Sequence, residues 1–362
     1  MQGSSAPCHQ PCSGHEACSP QPPGSQGGPL PARGLTRRGA AGWLGGALLT
    51  LGGRPAAAET RWRMATEYPA SAMPGEGIAT FAGRVRELSG GELAVEPVFD
   101  AKAGFRSAEI LATIAERRIE AGDAFAGALT GLHPLFGLSS LPFVVRSLED
   151  ARRLADLARP AYRDAFAERG QVLLYTTPWP PTGLWTKAPL TSVAALRALS
   201  IRAYDATSAD VLLRAGARAQ NISFADAMAR LKDGSVDAVL SSGDGGAGRN
   251  LWEFLPHFTE INYAIPLSLA VLDGRVHAGL PDGLRTHVDR AAAETEARQW
   301  QALRTRLDEN YARMRQNGVT IRTEVDPPLV ALLRWAAEAT VAEWRTKAGP
   351  AAVAILDAAA PR

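Results

Sequence analysis

Cysteine is nearly missing from this chain: Cys8, Cys12 and Cys18 are the only three, so nothing after residue 18 can form a disulfide, offer a thiol nucleophile or supply a zinc thiolate. Histidine is scarce too. Only His133, His257, His277 and His287 follow residue 58, and none makes an HxxxH pair. The cluster Cys8/His9/Cys12/His15/Cys18 reads as a chance grouping, because a metal site needs a folded support that this stretch does not supply. There is no GxSxG, no Cys/His dyad and no carboxylate-rich metal cluster, so no metal or cofactor is expected. A basic surplus is also lacking. Lys+Arg 39 against Asp+Glu 37 leaves +2, and setting aside residues 1–58, with four Arg and one acid, puts the remaining 304 residues at −1. That balance excludes a polyanion binder and a membrane-surface protein, so no nucleic-acid partner is expected. No apolar run reaches the roughly twenty residues that span a bilayer.

What the front of the chain does contain is a leader. Residues 1–34 carry seven Pro, six Gly and five Ser, too little apolar surface to offset the entropy of ordering; they are expected to be disordered or to reflect a start assigned too early. Arg37-Arg38, the apolar run Gly39–Gly53 and Ala56-Ala57-Ala58 then make the charged, hydrophobic and small-residue regions of a secretory signal peptide over 35–58, cleaved after Ala58. Thr36-Arg37-Arg38 leaves both the twin-arginine and the general export routes open. The exported chain is free of cysteine, and the expected location is a Gram-negative periplasm.

From residue 60 strand and helix patterns alternate. Strands are expected over 61–67, 93–99, 123–129, 171–177, 199–204, 236–241 and, as one long strand, 260–272. Helices are expected over 75–88, 107–118, from the capping box Ser147–Asp150 onward, and over 208–215 and 225–232. Pro281 opens a helix of thirty-odd residues with Leu284, Val288, Ala292, Thr295, Trp300, Leu303, Leu307, Tyr311 and Met314 along one stripe, stopped at Asn317-Gly318. A rod of about 50 Å exceeds one small domain. A last helix runs from Pro327 through Trp344 to Gly349-Pro350. The alternation predicts α/β with mainly parallel sheets. The sharp break Pro178–Gly183 marks a lobe boundary: lobe I 59–177, lobe II 178–262, and a return strand, the long helix and a C-terminal helix over 263–362 packing on both lobes.

Three groups of residues invite a chemical reading. Gly243–Gly248 matches GxGxxG after a strand, but it sits late in the chain and Pro256 leaves the following helix short; the expectation is a flexible ligand-lining or surface loop and not a dinucleotide site. Asp123 and Asp244 are strand-end acids that an enzyme could use as acid and base. Alternation in the 199–204 strand puts Ser200, Arg202 and Tyr204 on one face, and an Arg near a strand's carboxyl end offers a planar fork that fits a carboxylate.

Leu196-Arg197-Ala198-Leu199-Ser200-Ile201-Arg202-Ala203 resembles the "DLKGLKIRV" segment of solute-binding proteins of tripartite ATP-independent periplasmic (TRAP) transporters, the DctP-like family. Phe81-Ala82 through Val85, Ser89-Gly90-Gly91 and Leu93 are similar to its first helix and turn. Leu141-Pro142-Phe143 resembles its "LPF" loop, Ala215-Gly216-Ala217 its "LGA", and Ala227–Asp237 its "ALQTGVVDG". The ordered set covers 60–345. The resemblance implies an α/β, two-lobed type II periplasmic-binding fold with a long helix bracing both lobes, a small organic acid as ligand, and small and large membrane permease subunits as partners. It makes Arg202 the carboxylate-binding arginine. The second arginine of many members is missing near Pro181–Trp185, so the ligand is expected to be a monocarboxylate with an apolar or aromatic body. Trp179 and Trp185 flank the hinge, where they contact ligand or pack the core. Tyr204, Ser242, Tyr68 and Phe125 complete the expected lining. Asp244 would pair with an amine if the ligand were a zwitterion. The alternatives are a periplasmic enzyme using strand-end acids in the cleft, and a ligand-binding subunit of a sensor.

Overall fold

A computed structural model describes residues 60–102 and 104–360; the leader read over 35–58, residues 1–34 and the three cysteines lie outside the described residues. The chain opens with β1 (Thr60–Ala65), α1 (Met73–Leu88), β2 (Leu93–Val98), α2 (Ile110–Ala115), β3 (Ala121–Phe125), α3 (Leu148–Ala167) and β4 (Gln171–Pro178). It then passes into β5 (Thr182–Thr186), α4 (Val193–Ala198), β6 (Ser200–Ala203), α5 (Ala206–Arg214), β7 (Arg218–Asn221), α6 (Phe224–Lys232), β8 (Ala238–Ser242), α7 (Gly243–Gly248) and β9 (His257–Thr259). It returns through β10 (Leu267–Asp273), α8 (Gly274–Ala278), α9 (Asp282–Gln316), β11 (Thr320–Arg322) and α10 (Pro327–Ala359). Two sheets result, ordered β2-β1-β3-β10-β4 in lobe I and β11-β9-β5-β8-β6-β7 in lobe II.

The sheets are mixed rather than mainly parallel. β10 runs antiparallel to β3 and β4, and β5 antiparallel to β8 and β9. Both are strands that enter a lobe from the other one, so they arrive pointing against the βα units already there. Of the long strand expected over 260–272, only the part within Leu267–Asp273 is strand. Residues 260–266 form the return crossing, and they pair with the outward crossing through Trp179 N to Pro266 O, Thr182 N to Ala264 O and Tyr263 N to Thr182 O, each 2.9 Å. The strand expected to reach 129 stops at Phe125, where Ala126–Leu129 winds into a 3-10 turn.

Each sheet is covered on both faces. Phe136, Tyr162 and Phe166 fill one side of the lobe I sheet, and Met64, Ile78, Phe81 and Tyr175 the other. Ile201, Leu212 and Leu333 fill one side of the lobe II sheet, and Trp185, Phe258 and Met314 the other. Two helices serve both lobes. The 35-residue α9, about 52 Å long at 1.5 Å per residue, packs on α1 and β4 and then on α7 and β11. α10 buries Leu329 and Leu333 in the lobe II core and Trp344 and Leu356 in the lobe I core. The stop expected at Gly349-Pro350 is a kink: Gly349 takes φ 79°, a conformation open to glycine, and a further helical stretch follows. The buried face of α9 carries more than the apolar stripe, because Glu296, Gln299 and Asn310 are buried as well. Glu296 accepts from Thr176 N at 2.8 Å, and Gln299 bridges Met73 O and Gly77 N at 3.1 Å each.

Candidate ligand-binding site

The carboxyl ends of β1, β3, β6 and β8 converge between the lobes, the position where open α/β sheets bind ligands. There they line a narrow cavity of about 30 Å³. From lobe I come Tyr68, just past β1, and Phe125, the last residue of β3. Lobe II gives Arg202 on β6, Tyr204 beyond it, Phe224 at the first turn of α6, Ser241 and Ser242 at the end of β8, and Gly245. The crossings add Trp179, Thr182 and Pro266. Tyr68 packs edge-on against Trp179 with ring centroids 4.7 Å apart and lies 5.0 Å from Phe224; Phe125 meets Tyr204 at 5.2 Å.

Arg202 is 3% exposed and is the only charged side chain lining the cavity among the described residues. Its Nε donates to Ile222 O at 2.8 Å and Nη1 to Leu240 O at 3.2 Å, so the ends of two neighbouring strands hold the guanidinium, with the Phe224 ring 5.8 Å away. It forms no ion pair with a carboxylate among the described residues, and the Nη2 edge of its fork has no protein acceptor there. Burial pulls the guanidinium below its ordinary value, with Tyr68, Glu67, Tyr204 and Asp205 opposing.

Three buried acids surround the cavity without lining it. Glu67 accepts from Ser107 N at 3.2 Å; burial raises it, while Ser107 and Arg202 oppose the rise. Asp205 caps α5 through a capping box, accepting from Ser208 N and Ser208 Oγ at 2.7 Å each; burial raises it too, against the Ser208 bonds. Asp123 takes a bond from Thr66 Oγ1 at 3.3 Å, and burial pushes it up to about 8. Each acid is satisfied, at least in part, by its own lobe.

The lobes meet around the cavity. At its mouth Arg106 Nη2 pairs with Asp226 Oδ1 at 2.9 Å, and Arg249 donates to Glu67 O at 3.1 Å while lying 3.6 Å from Asp100. On the other side a Cβ on Gly127 would stand 2.4 Å from Asp205 Oδ2, so a larger residue there would collide with lobe II.

Two of the expected lining residues are elsewhere. Trp185 is fully buried behind β5, where it packs on Phe258 at 5.2 Å, donates to Ser242 O at 3.3 Å and fills the space against Gly246. Strand parity explains this: Thr182 points to the cavity, so Trp185, an odd number of residues on, points away. Asp244, in the first turn of α7, is sealed by α1 and α9, accepting from Met73 N at 2.8 Å and Asn310 Nδ2 at 3.2 Å, with Arg306 Nε 3.6 Å away. It is therefore unavailable to a ligand amine. Gly243–Gly248, expected as a ligand-lining or surface loop, forms a buried helical turn against α9, with Gly245 on the cavity lining. Asp123 and Asp244 have separate partners, and neither lines the cavity. Phe224, Thr182, Ser241 and Pro266 escaped the sequence reading. Ser223, whose Oγ accepts from Asp226 N at 3.2 Å, sets Phe224 at a helix start, and a Ser three residues before an Asp was a usable signal.

Among the described residues no group of three His, Cys, Asp or Glu is placed to hold a metal, and no helix is long and apolar enough to cross a membrane. The family model for bacterial extracellular solute-binding proteins, family 7 (DctP), matches residues 64–346. The chain belongs to this family, the solute receptors of TRAP transporters. Among solved structures it is similar to DctP7, a Bordetella pertussis extracytoplasmic solute receptor binding pyroglutamic acid, with 27% identity, 83% of this chain and 99% of that one covered, and a TM-score of 0.79. A marine metagenome TRAP solute-binding protein in complex with co-purified pyroglutamate matches at 26% identity, 83% and 98% coverage and a TM-score of 0.79. A Shewanella oneidensis TRAP protein with bound succinate, at 15% identity, 83% and 99% coverage and a TM-score of 0.77, shares the fold. A search of curated proteins found no match. Proteins of this family are substrate-binding receptors, which implies a small-molecule ligand and membrane permease partners.

Proposed function

We propose that this receptor works in the periplasm and captures a small monocarboxylate without a free amine, of the pyroglutamate kind, holding its carboxylate on Arg202 and delivering it to the permease. The observation that carries the reading is the lining itself: one buried guanidinium with an open edge, aromatic walls, a few hydroxyls and no acid. An anion of one charge satisfies Arg202 through charge-assisted bonds. A second carboxylate would be buried without a cation, and an ammonium would be buried without an anion; either costs several kcal/mol. The rings of Tyr68, Trp179 and Phe224 suit a compact, weakly polar body. Two relatives above 25% identity that carry pyroglutamate support the same class.

The test is a thermal-shift panel on the purified protein with pyroglutamate, glutamate, succinate and galacturonate. Pyroglutamate is expected to raise the midpoint, with one equivalent bound and no turnover in calorimetry. A succinate shift as large as that of pyroglutamate refutes the single-charge argument, and silence from every acid refutes the assignment of the site.

A further inference from the structure

The capture of a carboxylate by Arg202 leaves the glycine spacing of α7 unexplained. A Cβ on Gly246 would stand 2.2 Å from the Trp185 ring in the lobe II core, and one on Gly245 2.5 Å from Ser241 Oγ at the cavity. One on Gly243 would stand 3.2 Å from Met314 Sδ on α9, and one on Gly248 3.1 Å from Pro69 Cγ in lobe I. The turn is therefore wedged between the cavity, its own core, the long helix and the opposite lobe. Its one acid, Asp244, reaches across. Oδ2 accepts from Met73 N at 2.8 Å, while Oδ1 accepts from Asn310 Nδ2 at 3.2 Å and lies 3.6 Å from Arg306 Nε.

Met73 is the first residue of α1, and the N-cap before it, Ala72, makes no side-chain cap bond. α1 of lobe I therefore takes its capping carboxylate from lobe II, where negative charge also suits the positive end of the helix dipole. Arg306 on α9 faces Asp244 and pairs with Glu76 in the first turn of α1, so it stands between one acid from each lobe. Ser242, which lines the cavity, accepts from Gly245 N at 3.1 Å and so caps α7 itself. The residue beside the ligand space and the acid that holds α1 thus belong to one turn.

Arg202 is 3% exposed in a cavity closed over by both lobes, so a ligand reaches it only when the lobes part. α7 stays with lobe II, anchored on Trp185, and α1 stays with lobe I, where Ile78 and Phe81 are buried. Parting therefore draws Met73 away from Asp244. We propose that Asp244 is a closure latch, a positioning residue that caps α1 when the lobes close on ligand and releases it when they open. This rests on the reading that the interlobe cavity is the ligand site. Release leaves neither partner stranded, because Asp244 keeps Asn310 and Arg306 on α9 and water takes the Met73 N–H. Affinity for the ligand then includes a bond that the ligand does not touch.

The experiment uses the full chain, isotope-labelled at its five methionines. The Met73 amide signal is identified by its loss in Met73→Leu, with Met64 in β1 and Met314 in α9 as internal references. In ligand-free wild type the Met73 amide is expected to exchange with water about tenfold faster, or more, than in protein saturated with pyroglutamate, while both references stay protected. Asp244→Ala abolishes that ligand-dependent protection. Calorimetry and stopped-flow mixing with pyroglutamate are expected to show this variant binding about ten- to a hundredfold more weakly, the loss of one hydrogen bond to a charged group. The loss appears as faster dissociation. Asp244→Asn, which keeps an acceptor for Met73, recovers part of both. A Met73 amide equally protected with and without ligand makes Asp244 a fixed structural cap and overturns the proposal, as does wild-type affinity in Asp244→Ala. Should Asp244→Ala not fold, Asp244→Asn decides by the same signal and the same dissociation rate. If wild type ignores pyroglutamate, that counts against the ligand reading; the ligand-free exchange still decides the latch, fast exchange supporting release and protection overturning it.

Discussion

Replacing Arg202 by Met separates binding from folding. In the ligand-free protein the change removes two bonds, to Ile222 O and Leu240 O, each worth about 1 kcal/mol net. It also removes a guanidinium that is 3% exposed and has no ion pair, whose charge burial disfavours. The two effects oppose, and ligand-free stability is expected to change by no more than about 2 kcal/mol. Binding behaves differently. A carboxylate deprived of its buried, hydrogen-bonded partner loses about 2–5 kcal/mol, about 30- to 5,000-fold in affinity. A ligand at about a hundred times its dissociation constant adds roughly 2.7 kcal/mol to wild type, about 5 °C for a chain of this size. At the same concentration the Met variant retains at most about 0.9 kcal/mol, or about 2 °C. Melting with and without the ligand, wild type beside Arg202→Met, reads both quantities at once. A full ligand shift in the variant sinks the role of Arg202, and a ligand-free midpoint that collapses makes it a structural residue.

Two further outcomes follow from the charges around the cleft. The Arg106–Asp226 pair bridges the lobes with side chains 30% and 51% exposed, so it is expected to contribute about 0.2–1 kcal/mol to closure; Asp226→Asn should weaken ligand binding by at most about fivefold in dilute buffer and not at all at about 0.5 M salt, and a loss that ignores salt refutes the electrostatic account. Glu67, Asp123, Asp205 and Asp244 are all raised, first by burial. A raised carboxyl binds more protons folded than unfolded, so stability falls as pH climbs from the unfolded value near 4 toward Asp123's value of about 8, by up to about 1.4 kcal/mol per pH unit for each such group. Asp210, Asp226 and Asp273 are lowered and lose their contribution only below the ordinary carboxylate range. Denaturant midpoints should therefore be higher near pH 5 than near pH 8, with Asp123→Asn reducing the difference; a wild type more stable at pH 8 contradicts the sign.

Much of the architecture was readable because hydrophobic period and punctuation are local. The Ser147–Asp150 cap, the Pro178 break and the stop at Asn317-Gly318 each depend on a few adjacent residues, and the elements fall near the expected places. Arg202 was legible from alternation in one short strand together with the resemblance of its segment. What escaped depends on contacts distant in sequence. The polar residues Glu296, Gln299 and Asn310 face inward on α9 because Thr176, Met73 and Asp244 need partners there, and no apolar stripe announces that. Asp244 looked like a cleft acid because it follows a strand, but the N-terminus of α1 lies over it. Trp185 looked like a wall because it lies near the hinge, and parity from Thr182 would have turned it inward. Phe224 went unremarked because its neighbours across the cavity belong to other elements.

The proposed preference of the cleft for an anion rests on which charges have partners. Four acids and one arginine are buried around the interlobe seam without an ion pair that neutralises them fully, and on charge alone the region would repel a carboxylate. Each acid, however, is answered from its own surroundings: Glu67 by Ser107, Asp123 by Thr66, Asp205 by Ser208, and Asp244 by Met73, Asn310 and the nearby Arg306. Burial raises all four, which reduces the negative charge they hold. Arg202 is different, because strand-end carbonyls fix its orientation without neutralising it. A guanidinium needs no deprotonation to escape burial, since its ordinary value lies far above neutral pH, so its remaining donors wait for an acceptor. Arg202 lines the cavity, where the proposed carboxylate would complete the fork. On the proposed reading, selectivity would come from what the lining withholds: no second cation for a dicarboxylate, no acid for an amine, and an indole donor on Trp179 that is already committed.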